Sequence, residues 1–535
     1  MYFDITPQYL ATINDRATRR RLLGTINGIP FTGNDVIRGS FEISNRCAEQ
    51  ANMKIGGVYV GQLNMTFVPS FVNKVSKKSY VGSVIIPTIG LYVPDNHAWE
   101  DIPLGVYTVQ SAKISKEGIS IEAYDNMKKL DKEWDLSNSY MSSTPYGFLK
   151  LISLECGVEL GITKSMVEEL PNGVDELYLV EENDIETYRD LLYWLAQTLG
   201  CFATIDREGK LTVRKFGLGT AGLSEDHRDV DAVYSDYKTK WTAITMYDID
   251  KGEDEYYSVN PDDGLTMNLG SNPLLQTVAD KTMQDAITYL ELAIETVDGE
   301  ITDLEAEVGT VETAIEEVEA ALEQDPTNPE LIALHEMLLA RKTEIQAQIH
   351  YKELEKTELE TELAQARAGL INASAVFKKK AREAILNAVN QIQFSPFYVN
   401  SARDPIFDLG DKILFEGGMA QGEEGCIMSL SYKLDNYCFE GYGDDPSITN
   451  SRSKTDKSVT GAKRSKSKED KINVDFATYI NVDDITIEAG QEEEVGYIRF
   501  GVANTTDVES WIEIKLDATL IDGKAGVMMT YLFDD

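Results

Sequence analysis

A glycine-rich run at Gly217, Gly219 and Gly222 has the G-x-G-x-x-G spacing of a dinucleotide-binding loop. The run follows a predicted strand, as that loop does. The chemistry also requires a helix directly after the glycines, because the helix N-terminus holds the pyrophosphate. Residues 223–236 have no apolar helical face. We therefore interpret the run as a turn and predict no bound cofactor.

Thiols and imidazoles are the next candidates for chemistry. A Cys/His peptidase could use Cys201 with His227, or Cys156 as its nucleophile. No sequence around them resembles a nucleophile motif, so we interpret them as buried structural residues. The five cysteines are odd in number and include no C-x-x-C pair, which argues against a disulfide scaffold and a zinc knuckle.

Metal ligands and paired carboxylates are the remaining candidates for chemistry. His335 and Glu336 lack the second histidine of a zinc-binding H-E-x-x-H motif. The acidic turns at 261–264 and 444–446 could bind calcium but lack the ordered ligands of a calcium loop. A carboxylate pair for glycoside cleavage cannot be placed among 90 acidic residues. We predict no catalytic and no metal-binding residues, and no enzyme activity.

Charge and composition narrow the function further. The 535 residues carry a formal net charge of -40, whereas a protein that binds nucleic acid through its phosphates needs a basic surface. The chain is 42% hydrophobic, which is enough to form folded cores. No segment has the apolar length of a membrane span, and no secretion signal is recognisable at the N-terminus.

Short alternating runs of apolar and polar residues fill the first 140 positions. Such alternation predicts an antiparallel sheet or barrel with one buried face, and the runs lie at 40–44, 57–67, 105–114 and 118–124.

Helices and a further hairpin follow. A helix is predicted from Pro145, with Thr144 as its cap and Gly157 as its stop. A second helix is expected over 185–199, followed by a β-hairpin over 201–216.

The strongest periodicity in the chain begins near residue 283. Apolar residues recur at alternating intervals of four and three, which is typical of the packing seam of a left-handed coiled coil. The predicted seam consists of Met283, Ile287, Leu290, Ile294, Val297, Ile301, Leu304, Val308, Val311, Ile315, Val318 and Leu322.

A second long helix is predicted after two prolines in residues 324–331. Asn328 can cap it, and it runs towards Ile385 with heptads that we expect to slip near residues 342–356. Residues 281–323 carry 13 acidic side chains and one lysine, whereas residues 329–383 are balanced. Parallel copies of the first helix would repel each other, so an antiparallel hairpin is favoured.

These patterns predict an α+β chain that is mainly β. Barrel-like domains with small helices form a body, a long antiparallel helical hairpin is inserted in it, and a β-sandwich follows at the C-terminus. The expected divisions are a body of residues 1–275 and 386–443, a hairpin of 276–385, a flexible linker of 444–471 and a sandwich of 472–535.

Several segments of the predicted body resemble the baseplate hub, or tail-associated, proteins of tailed bacteriophages. They are DIPLGVYTV (101–109), IEAYDNM (121–127), the helix and hairpin of 191–214, NPLL (272–275) and DPIFDLGD (404–411). Their order and spacing carry the resemblance, which covers approximately residues 20–275 and 385–443.

The resemblance implies a homotrimer at the tail tip of the virion, assembled in the host cytoplasm. Two related β-barrel domains per chain would form a pseudo-sixfold ring under the tail tube, below the distal tail protein, and would line or close the channel for DNA. An acidic lining would let DNA pass without binding. The hairpin departs from the family's usual short connection, and it could extend the tip, clamp neighbouring subunits or contact the tape-measure protein.

Two other functions remain open at this point. The C-terminal unit could recognise a host surface glycan in a receptor-binding tail protein, with Tyr479, Tyr497, Trp511 and Tyr531 as stacking platforms, although aromatic side chains in so small a unit more often form its core. A tail lysin that degrades the cell wall is a third hypothesis. It is disfavoured because no lysin module follows the body.

Overall fold

A computed structural model describes most of the chain. The described residues are 5–13, 18–48, 53–72, 80–134, 142–180, 183–228, 232–260, 264–401, 406–434, 436–446, 486–488, 495–501, 511–521 and 524–531. The chain divides into two compact units, Met1–Asn450 and Ser451–Asp535. Most of the predicted linker, the turn residues 261–263 and Tyr479 lie outside the described residues.

The first unit contains all the described helices. Five are short, and the last two are much longer, with 44 and 61 residues. Their bounds are α1 Pro7–Ile13, α2 Pro69–Val72, α3 Pro145–Cys156, α4 Lys164–Glu168, α5 Tyr188–Thr198, α6 Lys281–Gln324 and α7 Pro329–Val389.

The strands of the first unit are short and lie on both sides of the two long helices in the sequence. Their bounds are β1 Arg20–Ile26, β2 Ile29–Thr32, β3 Glu42–Arg46, β4 Gln62–Phe67, β5 Val84–Val93, β6 Ala98–Pro103, β7 Tyr107–Ile114, β8 Ile119–Asp125, β9 Ser142–Ser143, β10 Leu177–Tyr178, β11 Phe202–Ile205, β12 Leu211–Arg214, β13 Thr220–Ser224, β14 Val233–Tyr234, β15 Thr239–Asp248, β16 Glu253–Ser258, β17 Leu265–Asn268, β18 Gln393–Phe394, β19 Phe397–Ser401, β20 Lys412–Glu416, β21 Glu424–Cys426, β22 Ser429–Lys433 and β23 Asn436–Gly441.

Twelve of these strands form one antiparallel sheet. Its order is β14-β19-β23-β22-β3-β4-β8-β7-β5-β1-β2, with β6 on the side of β5. Distant parts of the chain meet where β3 pairs with β22, for example Ile43 with Tyr432. Within the described residues this path is open, because β14 and β2 do not pair. The predicted closed barrels are therefore not seen in the described structure.

Smaller sheets surround this one. β9 pairs with β10, β11 pairs with β12, and β20 lies between β13 and β21. β15 lies between β16 and β17 and also pairs with β18. The secondary structure is about 40% helix and about 31% strand, a mixed α+β fold. Helix thus exceeds strand, which corrects the expectation of a mainly β chain, and α6 and α7 are the reason.

Local signals set the ends of the short helices, and those of α3 are the ones expected from sequence. The Thr144 hydroxyl accepts a hydrogen bond from Gly147 N, and α3 ends where Gly157 takes the left-handed φ of 61°. In α5 the side chains of Thr187 and Asp190 form a reciprocal capping box. Both helices contribute apolar side chains to the core of the first unit.

This core includes apolar side chains from the strands on both sides of the hairpin. Among the described residues, no buried member of the core lies between Leu275 and Phe377, and only the half-buried Val278 packs against it from this interval. The apolar residues of α6 and of most of α7 therefore lie outside the main core.

In the second unit, the four described strands form a single antiparallel sheet in sequence order. They are β24 Thr486–Glu488, β25 Val495–Gly501, β26 Trp511–Ile521 and β27 Lys524–Tyr531. The sandwich predicted for residues 472–535 needs two stacked sheets, whereas the strands described there belong to one.

Candidate functional site

The helical hairpin of α6 and α7 is the candidate functional site, and its sequence fixes both ends. Asp280 caps α6 by accepting a hydrogen bond from Met283 N at 3.1 Å. The helix ends before the proline-containing turn at 325–328. Asn328 then caps α7 by accepting from Glu330 N at 3.0 Å and from Leu331 N at 3.3 Å. Pro329 occupies the first helical position, where no hydrogen-bond donor is needed.

The predicted seam of α6 faces α7. All twelve seam residues are buried or half-buried, and Leu290, Val297, Ile315 and Val318 are the most buried. On α7, a set of buried and half-buried residues has the same four and three spacing: Leu331, His335, Leu338, Lys342, Ile345, Ile349, Lys352, Lys356, Leu359, Leu363, Ala366, Leu370, Ala373 and Phe377.

Ion pairs between the helices show that they run antiparallel. Near the turn, His335 Nε2 lies 3.1 Å from Glu319 Oε1. Towards the other end, Arg367 Nη2 lies 2.7 Å from Glu291 Oε1. The basic side chains of α7 thus lie beside the acidic side chains of α6, in the arrangement that the charge distribution favours.

The heptads of α7 do not slip, contrary to the prediction for residues 342–356. They continue through three lysines at seam positions, and each lysine ammonium lies 2.7 Å from an acidic residue of α6. The pairs are Lys342 with Glu312, Lys352 with Glu300, and Lys356 with Asp298. Each acid is adjacent in sequence to an apolar seam residue of α6. The lysine stems can cover the seam while their ammonium groups pair at its edge.

These contacts favour the charged form of the lysines. Hydrogen bonds to Glu300 and Glu355 raise the pKa of Lys352 well above its ordinary value. The hydrogen bond to Asp298 similarly raises the pKa of Lys356. Polar residues at seam positions select one register and partner in coiled coils at some cost in stability. The three lysines therefore distinguish α6 as the correct partner of α7.

The base of α7 is held to the body by a buried cluster of charges. Lys378 Nζ donates to Asp248 Oδ1 at 2.8 Å and to Asp250 Oδ2 at 2.6 Å. Arg382, whose side chain is fully buried, bonds Glu255 and also donates to the Tyr257 hydroxyl at 2.6 Å. All three acids belong to or adjoin β15 and β16. The cluster joins helix and sheet by charge as well as by apolar packing.

The pKa shifts in the cluster follow from burial and pairing. Burial alone would raise the pKa of Asp248, but the hydrogen bond and charge of Lys378 outweigh it and lower that pKa below its ordinary value. A second link at the base joins the two ends of the hairpin. The Ser374 hydroxyl lies 2.9 Å from the Thr277 hydroxyl and accepts from Val278 N.

Three segments that carried the family resemblance lie together in the body. The Asn272 side chain of NPLL donates to Trp194 O at 3.1 Å and to Gln197 Oε1 at 2.9 Å, both in α5. In DPIFDLGD, Asp411 lies 2.9 Å from Arg214 of β12. These contacts are structural, because each gives a buried or half-buried polar group a hydrogen-bonding or ionic partner.

The glycine-rich run has no nucleotide-binding geometry. Thr220–Ser224 is strand β13, which pairs in parallel with β20, and only a three-residue 3-10 helix, Glu225–His227, follows it, not an α-helix. A side chain at Gly222 would meet the carboxylate of Glu416. The close approach of the paired strand therefore explains why position 222 is a glycine.

The candidate nucleophiles are not activated. Burial raises the pKa of Cys201 to about 12 and that of Cys156 to about 11, whereas an activated thiol needs a lowered pKa. His227 is buried, and its Nδ1 lies 3.0 Å from the Ser224 hydroxyl.

A small cavity of about 80 Å³ lies against the large sheet, with Asp125, Tyr107 and Arg207 among its lining residues. Burial raises the pKa of Asp125 to about 7, although its carboxylate accepts hydrogen bonds from Gly61 N and Met127 N. Sequence analysis did not single out Asp125, because an aspartate that ends a strand looks like an ordinary helix cap.

Two further kinds of feature are absent from the described residues. No group of three metal-binding side chains converges there, and no described helix has the length and apolar character to cross a membrane. Tyr497, Trp511 and Tyr531 lie on strands of the second unit, and the arrangement of their side chains is outside the described structure.

The chain matches no protein-family model and no curated protein.

Proposed function

We propose that the chain is a structural, non-enzymatic subunit of a bacteriophage tail tip, where three copies form a hub that joins the tail tube to distal parts. The distal tail, tail-tube and tape-measure proteins are the proposed partners, with DNA passing through without specific binding. The observation that carries the proposal is that the first unit consists of two different parts, a body and a hairpin. A sheet-rich body is built from both sides of the insertion, and a long hairpin outside its core is fixed to it by buried ion pairs.

The contacts at the base fit a role in force transmission or assembly better than one in catalysis. Lys378 and Arg382 hold α7 to β15 and β16, and α6 lies along α7 through a continuous seam. At roughly 1.5 Å per residue, the 44-residue helix α6 is roughly 65 Å long. A stiff rod of this length can position a partner at a fixed distance from the body.

The large sheet also supports assembly. Its path ends at β14 and β2, and edge strands present backbone groups that can pair with another chain. Exposed Val233 on β14 is 66% accessible. In the proposed hub, such edges lie at contacts between copies, which replaces the closed barrels expected from sequence with a ring completed by neighbours.

Light scattering of the full chain at low and high salt tests the proposal. Three chains of 59.6 kDa are expected to associate into one particle that persists in high salt, and electron microscopy should show a central channel. Double-stranded DNA should not bind, because the chain has a net charge of -40. A monomer at every concentration, or a particle without a channel, would contradict the hub.

A receptor-binding role is the second candidate, because Ser451–Asp535 forms a compact unit of its own. Host surface glycan would be its ligand. Binding of the full chain to a glycan array, lost when residues 472–535 are deleted, would favour this role. A cell-wall lysin predicts solubilisation of purified peptidoglycan, and we expect none.

A further inference from the structure

The hairpin has a second apolar stripe that the seam does not use. On α7, seven residues between 333 and 354 lie two positions after seam residues. Six of the seven are apolar, and the seventh is Glu344. The apolar ones are Ala333, Met337, Ala340, Ala347, Tyr351 and Leu354. All six are exposed. Met337 is 60%, Tyr351 71% and Leu354 51% accessible. A heptad stripe of this kind is the surface that a further helix packs on.

A groove lies between this stripe and α6. It has a volume of about 630 Å³, and Leu304, Ala347 and Tyr351 contribute apolar surface to it. Ala347 allows a helix backbone to approach closely, whereas Tyr351 provides a large contact. The groove therefore offers apolar contacts to one face of an amphipathic helix.

Acidic side chains border the groove from both helices. Glu300 and Asp303 lie on the α6 side, and Glu344 lies on the α7 side. Glu300 and Glu344 pair with Lys352 and Arg341 of the hairpin itself. Among the ion pairs of the described residues, none involves Asp303. The balance along the groove is thus acidic.

This charge decides which helix can occupy the groove. A second copy of the hairpin would bring α6, with its 13 acidic residues and one lysine between 281 and 323, against the same acidic border. The chain's own basic segment, 451–471, has the right charge, but Val459 is its only large apolar residue. It cannot fill an apolar stripe.

We propose that this groove binds a basic amphipathic helix of another protein, whose apolar face packs on Leu304, Ala347 and Tyr351 while its Lys and Arg residues meet the acidic borders. The hairpin then becomes one side of a three-helix bundle. This inference goes beyond the proposed function and does not depend on it, because it requires only the hairpin.

Fluorescence anisotropy with the full chain tests the inference. The probe is a labelled three-heptad peptide with leucine at its a and d positions and lysine at e and g, and the matched control peptide has glutamate at e and g. We expect the lysine peptide to bind at least about tenfold more tightly, and its affinity to fall as salt screens the acidic borders. Equal binding of the two peptides, or no binding, would overturn the proposal.

Two variants locate the contact. Tyr351→Ser should weaken binding of the lysine peptide by about tenfold or more, because it removes a large apolar anchor. Leu339→Ser removes an exposed apolar residue from the opposite side of α7 and should change binding by less than about twofold. Circular dichroism should show unchanged helix content in both. If the two variants bind equally well, the groove is not the site. This result says nothing about trimer formation, so the hub proposal fails or stands separately.

Discussion

Lys378 Nζ in α7 lies 2.8 Å from Asp248 Oδ1 in β15, although the two residues are 130 positions apart in sequence. Both side chains are almost fully buried, at 4% and 3% accessible. Charges removed from water remain charged only when they are paired and hydrogen-bonded. This pair and its neighbours therefore fix where α7 leaves the sheet.

Replacing Lys378 with methionine should destabilise the first unit by about 3 kcal/mol, because Asp248 would keep a buried charge with less compensation. Chemical denaturation followed by tryptophan fluorescence measures the change, since Trp241 is buried in the same strand as Asp248. Lys379→Met is the matched control. Lys379 is 69% accessible, so its loss should cost less than about 0.5 kcal/mol. Equal effects of the two variants would show that the buried pair has no special role.

We expect the seam lysines to lower the stability of the hairpin while they restrict which helix can pair with α7. Changing Lys342, Lys352 and Lys356 together to leucine should raise the thermal midpoint, because leucine is a better seam residue than lysine. The same change removes partners from three acids of α6 and makes the seam uniformly apolar. We expect the variant to self-associate as its concentration rises, which sedimentation velocity measures.

Arg367→Leu is the control for the seam variant. Arg367 also pairs with an acid of α6, but it lies outside the seam and its side chain is 57% accessible. It should neither raise the thermal midpoint nor cause association. If the seam variant self-associates no more than the parent as concentration rises, the lysines do not select the partner.

Asp125 should make stability depend on pH near neutrality. Its pKa is raised to about 7 in the folded chain from an ordinary value of 3.8, so between these values the folded chain holds a proton that the unfolded chain has lost. Its contribution to stability is therefore greatest at acidic pH, falls as pH rises towards about 7, and levels off above that.

Asp125→Asn should abolish this dependence. Between pH of about 5 and about 6.5, the free energy of unfolding should fall with pH more steeply in the parent, by up to about 1.4 kcal/mol per pH unit for one proton. Denaturation at several pH values gives both slopes, and the exposed Asp95→Asn serves as the control. The absolute stability of Asp125→Asn is not the test, since the change also alters the hydrogen bonds to Gly61 and Met127. Parallel slopes in parent and variant would contradict the raised pKa.

Asn328→Ala should destabilise the hairpin by about 1 kcal/mol, because two backbone N–H groups of α7 lose their acceptor. Hydrogen exchange of the first turn of α7 should accelerate, while exchange near Phe377 stays unchanged. Thr327→Ala alters the neighbouring turn without removing the cap and should have little effect. Slow exchange in both variants would show that the proline alone fixes the start of the helix.

Local sequence signals predicted much of the hairpin. Alternating intervals of four and three specify the face of α6, and Asn328 and Pro329 follow the rules for helix starts. The seam of α7 was missed in part. A search for apolar residues passes over Lys342, Lys352 and Lys356, whose fitness for a seam depends on the acids of another helix.

Non-local features could not be predicted in the same way. The pairing of β3 with β22 depends on packing between residues separated by most of the chain. The anchor of Lys378 and Arg382 looks, in sequence, like part of an ordinary basic run at 378–382. Only the position of β15 and β16 shows that Lys378 and Arg382 are buried, whereas Lys379 is exposed.

The link between Thr277 and Ser374 closes the hairpin where it joins the body. Everything from there to the turn at 325–328 is a repeat of heptads whose two arms match. Removing or adding one heptad in each arm would change the length of the rod while leaving its root and its tip intact. The length of the hairpin can therefore change in steps of roughly 10 Å, one heptad at a time, without any change to the fold of the body that carries it.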